Sequence, residues 1–96
     1  MRPSEALPLH RERIRQLVLE AGMTNPRVFG SVVHGDDIDG SDLDILVDPA
    51  PRTSLMDLAG LQIRIETILG MRVDLLTPNG LPPKFRDKVL GEAQPV

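Results

Sequence analysis

Gly40-Ser41-Asp42-Leu43-Asp44-Ile45-Leu46-Val47 is the stretch whose reading decides how this chain folds. Side chains on a strand alternate between its two faces. Leu43, Ile45 and Val47 therefore share one face, and Asp42, Asp44, Leu46 and Asp48 share the other. The first face is apolar enough for a core. The second projects two carboxylates together. Either they face water on an edge strand, or a cation resolves their repulsion. Mg²⁺ takes oxygen ligands and is commonly held by one or two carboxylates together with substrate phosphates.

Upstream, Asn25-Pro26 reads as a turn and Arg27-Val28-Phe29 as a first short strand. The strand ends at Gly30-Ser31, where glycine permits a tight turn and close backbone approach. Ser31 begins a short helical turn whose free N–H groups favour a phosphate, although Gly-Ser is also a common turn dipeptide. Asp36 to Gly40 reads as a solvated acidic loop. Aligned to a calcium-binding loop, it puts Gly35 first and Leu46 last, where acids are needed, so that reading fails. Further upstream, Ile14, Leu17, Val18 and Ala21 recur at helical spacing, which predicts a helix from about Pro8 to Ala21, stopped by Gly22. Pro3 to Pro8 reads as a loose entry to it.

Downstream, Thr53 or Ser54 caps a predicted helix over Leu55 to Leu69, with Leu58, Leu61, Ile65, Ile68 and Leu69 as its buried stripe and Gly70 as its end. Arg72 to Leu76 reads as another strand, closed by Pro78-Asn79-Gly80. Within it Asp74 interrupts an apolar run. It is either an ordinary solvated aspartate or, should this strand lie beside Asp42–Asp44, a third member of an acidic cluster. In that second case two metal ions could clamp an in-line phosphoryl displacement. Pro82 starts a last short helix over Lys84 to Glu92, with the tail loose beyond Gly91. Lys84, Arg86 and Lys88 on it either reach a phosphate or an acidic partner, or solvate the helix face. The order helix, strand, loop, strand, helix, strand, helix predicts one small sheet with helices packed on it, without fixing the strand order.

Composition narrows the function. The chain has 96 residues, 41% hydrophobic and 26% charged, which suits a single domain over 1–96 with its core over about 10–90. A formal net charge of -3 opposes electrostatic binding of duplex nucleic acid. Phe29 and Phe85 are the only Phe, Tyr or Trp residues, too few for a platform stacking single-stranded bases. Without cysteine, any metal must be held by oxygen or imidazole. No apolar run approaches the length of a membrane span, and Met1 to His10 does not read as a secretion signal, so a cytoplasmic location is expected. Apolar surface left over on so small a domain also predicts self-association or partner binding.

Val28-Phe29-Gly30-Ser31-Val32-Val33-His34-Gly35 and Gly40-Ser41-Asp42-Leu43-Asp44-Ile45-Leu46-Val47, with Asp74 on a later strand, resemble the signature of the polymerase-β-like nucleotidyltransferases. Within that superfamily the chain is most similar to the stand-alone minimal nucleotidyltransferases, closely over Arg27 to Leu76. The resemblance implies an α/β (α+β) fold with a small mixed sheet, and transfer of AMP from ATP to a hydroxyl with release of pyrophosphate. It assigns Gly30, Ser31 and Ser41 to the nucleotide. It assigns Asp42, Asp44 and Asp74 to two Mg²⁺ ions, with Asp74 also helping to activate the acceptor. Many such proteins are antitoxins of a HEPN-domain ribonuclease toxin, and some silence it by adding AMP to a tyrosine. Family members often carry arginines where this chain has Val32 and His34. A protonated His34 would replace one of those charges, a neutral one only hydrogen-bonds. Two further readings follow: a binding module that neutralises a toxin by occlusion with weak or lost transfer, and adenylylation of a small molecule in a pocket completed by a second chain.

Overall fold

A computed structural model describes all 96 residues, 1–96. Helix α1 (Pro3–Glu20) leads into strand β1 (Thr24–Phe29), a one-turn helix α2 (Ser31–His34), strand β2 (Leu43–Asp48), helix α3 (Leu55–Leu69), strand β3 (Val73–Leu76), helix α4 (Pro83–Glu92) and a short strand β4 (Gln94–Pro95). The sheet order is β3-β2-β1-β4, antiparallel at β1–β2 and β1–β4 and parallel at β2–β3. It is thus a mixed sheet. The α3 crossover supplies the long connection that a parallel pair requires.

The alternation of β2 sorts the two faces as its sequence predicts. Leu43, Ile45 and Val47 are fully buried in one cluster with Ile14, Leu17 and Val18 of α1 and Leu61 and Ile65 of α3. The opposite face buries only a small patch of Phe29, Leu46 and Leu81, packed against Val89 and Ala93. Beyond that patch the face carries Asp42 and Asp44 toward one end of β2 and the Arg27–Asp48 ion pair at the other. β3 is an edge strand, and its outward N–H groups are covered by α3: Val73 N donates to Glu66 Oε2 at 3.0 Å and Leu75 N to Gln62 Oε1 at 3.3 Å. Such coverage removes the hazard of an open edge. Helix α3 begins and ends as expected, with the Ser54 hydroxyl accepting from Asp57 N at 3.1 Å and Gly70 in the left-handed region at φ 68°.

Four local expectations are overturned. Pro3 to Pro8 is not a loose entry but the start of α1, with Pro8 inside it. Proline costs least at the first helical position, which Pro3 takes, and burial of Pro3, Ala6 and Leu7 offsets the bond lost at Pro8. Asn25-Pro26 is not a turn but an irregularity inside β1, where Asn25 sits at φ 55° and the register slips between Thr24 and Arg27. The acidic loop is not wholly solvated: Asp37 is 5% exposed and accepts from Ser4 N at 2.8 Å, so it caps α1 from 33 residues away. The tail past Gly91 is not loose. β4 pairs with β1, Val96 N donates to Pro26 O at 2.9 Å, and Val96 is buried.

Candidate active site

Asp44 stands in register with Phe29 of β1 on one side and Asp74 of β3 on the other. The two strands therefore bring the sequence-distant acids side by side on the face away from α1 and α3. Asp42 lies just before β2, two residues earlier on the same face. Its carboxylate is 3.8 Å from Arg72 Nε, a loose contact because Arg72 is exposed. The pairs 42/44 and 72/74 thus run in parallel. Sequence reasoning passed over Arg72, yet that repeated spacing marks it once β2 and β3 are known to be parallel neighbours.

The chemistry of the cluster shows in Asp44. Partial burial, then the facing Asp74, then Asp42, push its carboxyl up from 3.8 to about 6. Burial and like charge both disfavour the ionised form. No three acidic or imidazole groups form a ready-made metal cage. Mg²⁺ does not require one, since one or two carboxylates together with waters and substrate phosphates suffice to hold it. The donor set, carboxylates on one strand face with one of them pushed up by burial and by its like-charged neighbours, fits such an ion.

Gly30 closes the site from the β1 side. It adopts φ 72° and ψ -141°, a conformation that is essentially glycine's alone. A Cβ built there would stand 2.1 Å from Asp44 Oδ2. The turn backbone therefore lies directly against the carboxylate, and glycine is required twice, by conformation and by space. The first N–H groups of α2, which begins at Ser31, have no intrahelical partner. The chain departs from the turn through Gly35, left-handed at φ 74°.

The remaining predicted residues are placed as follows. Ser41 accepts at its hydroxyl oxygen from Ile38 N at 2.9 Å, which pins the acidic loop just ahead of Asp42. His34 Nε2 lies 2.8 Å from Glu92 Oε2 of α4, so its ring is engaged by a carboxylate that sequence reasoning did not single out. Val32 and Val33 pack against the main core. Of the three basic residues on α4, Arg86 is structural, its Nε donating to Pro78 O at 2.9 Å and its guanidinium also to Leu81 O at 3.2 Å. No helix is long and apolar enough to cross a membrane.

Comparison with known proteins agrees with this geometry. The family model described as "Nucleotidyltransferase domain" matches residues 8–96. Protein adenylyltransferase MntA of Thermococcus cleftensis is 36% identical over 86 residues, covering 90% of this chain and 84% of its own. A provisionally named protein adenylyltransferase of Methanocaldococcus jannaschii is 36% identical over 83 residues, covering 86% of this chain and 89% of its own. Among solved structures, a provisionally named minimal nucleotidyltransferase superimposes with TM-score 0.86 at 41% identity, over 97% of this chain and 95% of that one. A toxin–antitoxin crystal structure with AMP-PNP superimposes with TM-score 0.75 at 21% identity, over 88% of this chain and 69% of that one, a likeness of fold.

Proposed function

The chain belongs to the nucleotidyltransferase-domain family, and from that premise we propose that it is a Mg²⁺-dependent protein adenylyltransferase serving as the antitoxin of a toxin–antitoxin pair. One observation carries the reading. The Gly30-Ser31 turn abuts Asp44 so closely that a single added carbon would collide with its carboxylate, and β3 sets Asp74 at Asp44's other side. This proximity supports reading the turn as the phosphate cradle and the acids as the metal ligands of one site.

In this reading the backbone at Gly30-Ser31 would hold the triphosphate of ATP, and Asp42 and Asp44 would hold Mg²⁺, with Asp74 as their neighbour on β3. When bound, Mg²⁺ would offset phosphate charge and orient the substrate. The acceptor oxygen forms a bond to the α-phosphorus as the bond to pyrophosphate breaks. Asp74 would help take the hydroxyl proton, a role that its exposure on the edge strand supports. The acceptor is a tyrosine of a HEPN-type toxin. The relatives named for protein adenylylation support a protein acceptor, and the fold shared with toxin–antitoxin complexes supports a toxin as that protein.

The test is transfer of label from α-³²P-ATP and Mg²⁺ to a co-expressed partner protein. Label on a partner tyrosine, absent with Asp42→Asn/Asp44→Asn, is the expected result; equal labelling by that double variant would sink the proposal. A second reading, neutralisation by occlusion, is favoured by Val32 packing into the core and His34 being engaged by Glu92. Neither position offers a free cation to phosphate. Under occlusion, the aspartate variants would neutralise the toxin as well as the parent does.

A further inference from the structure

A second cavity adjoins the acidic site. It lies between α4 and the ends of β1 and β3, with a volume of about 320 Å³, at the lower end of small-ligand pockets. Phe29, Leu76 and Leu81 form its sheet side, Phe85 and Val89 come from α4, and Gly30 closes one end. Phe29 is the residue in register with Asp44, and Leu76 is two residues beyond Asp74 on the same strand. The cleft is thus the direct continuation of the acidic row.

Its composition is unusual for this molecule. The chain has two phenylalanines and no tyrosine or tryptophan, and both phenylalanines line this one cleft. Phe85 is 51% exposed. Lys84 Nζ sits 5.8 Å from its ring centroid, but that contact leaves much of the ring uncovered. The polar groups of the lining are Lys88 and the His34–Glu92 pair. An apolar slot with aromatic rings and a few polar groups suits a flat, partly polar ring.

We infer that this cleft binds the base of the nucleotide whose phosphates rest on Gly30-Ser31, with Phe85 as the stacking residue. The inference rests on the nucleotidyltransferase reading and extends it to how the base is held. Gly30 belongs to both the phosphate turn and the cleft wall, so one molecule spans the two without crossing a barrier. Lys88 and Glu92 of the lining are opposite in sign, which suits an uncharged ring there and leaves the phosphates to Gly30-Ser31.

The sequence makes the test direct. Phe29, Phe85, His10 and His34 are the only aromatic side chains, so their ring protons can be followed individually by NMR. The full-length protein is titrated in Mg²⁺ with ATP, with inorganic tripolyphosphate and with tyrosine amide. ATP is expected to shift both phenylalanine rings, and tripolyphosphate neither. Phe85→Ala should weaken ATP about tenfold, in line with base–aromatic stacking, and leave tripolyphosphate unchanged. Phe85→Leu, which keeps apolar bulk, should fall between the two. Saturable ATP binding with both rings unmoved and Phe85→Ala equal to the parent overturns the inference while leaving the nucleotidyltransferase reading intact. Failure of ATP and tripolyphosphate alike to bind overturns both. Ring shifts with tyrosine amide but not with ATP overturn it too, and give the cleft to the acceptor.

Discussion

Two acidic groups lie close together in this sequence, and the fold treats them in opposite ways. Asp37 and Asp39 of the loop find donors that the protein itself supplies, Asp39 at the open surface. Asp37 takes the Ser4 N–H and Asp39 the terminal amino group of Met1, and hydrogen bonding holds both carboxyls below their usual range. Asp44, a few residues on, finds burial and two other carboxylates, and is pushed up to about 6. Residue type and neighbourhood in sequence are the same. What differs is whether the protein itself supplies the positive partner. An acid satisfied internally is a structural part. An acid left in conflict is poised for something that arrives from outside.

The largest expected effect tests that contrast on activity. Asp44→Asn should lower AMP transfer by about a thousandfold, the scale on which removing a preorganised electrostatic group acts. Asp37→Asn, which keeps an acceptor for Ser4, should stay within a few-fold of the parent. Equal losses in the two variants, measured as initial rates of label transfer, would erase the distinction. Gly30→Ala comes next. The added carbon meets Asp44 Oδ2 and the backbone is in glycine's region, so transfer should drop by about a hundredfold, with a stability loss of about 1–2 kcal/mol. If Gly30→Ala keeps full activity, the turn does not need its close approach to Asp44.

The contrast also shows why some of the site was legible in the sequence and some was not. Period-2 alternation exposed the two faces of β2, and the Ser54 cap with Gly70 bounded α3, because each of these signals is local. The mutual position of Asp44 and Asp74 depends on a parallel pairing across the whole of α3, and the acids themselves do not encode that pairing. The segment around Asp37 reads as solvated in the sequence because its donor, Ser4, is far away along the chain. The same missing contact made Pro3 to Pro8 look loose, since the capped helix start and its cap lie in separate segments. The β4 pairing was hidden for a different reason. Two residues, one of them Pro95, carry no strand pattern, and a backbone bond from Val96 to Pro26 holds them.

Stability sharpens the comparison further. Asp37→Ala removes the acceptor of the Ser4 N–H at the start of α1 and should cost about 0.5–2 kcal/mol, the range for a lost N-cap. A chain of this size would then melt about 4–8 °C lower per kcal/mol. The carboxyl of Asp37 is lowered from 3.8 in the folded state, so its contribution is present above that value and is lost as pH falls through the folded pKa. Thermal melts of the variant and parent should therefore differ most near neutrality and converge in acid. A gap that persists unchanged at low pH would mean that Asp37 acts by packing alone.

Asp44 must show the reverse sign, with a smaller amplitude. Its folded pKa is raised from 3.8 to about 6. Protonation in the fold therefore stabilises it below the unfolded value, and that stabilisation is lost as pH rises through about 6. At pH 7 without metal, the parent carries an ionised carboxylate against two others, whereas Asp44→Asn carries none. Screening by solvent at this partly open position reduces the full linkage energy to about 1 kcal/mol. In EDTA, Asp44→Asn should thus be more stable than the parent at neutral pH by about that amount, and the two should converge near pH 4. Mg²⁺ should raise the melting temperature of the parent at neutral pH and raise that of Asp44→Asn less, because an ion that binds only the folded form stabilises it by mass action. A variant less stable than the parent at neutral pH in EDTA would mean that Asp44, like Asp37, is satisfied within the protein, and the contrast between the two acids would fail where it is easiest to measure.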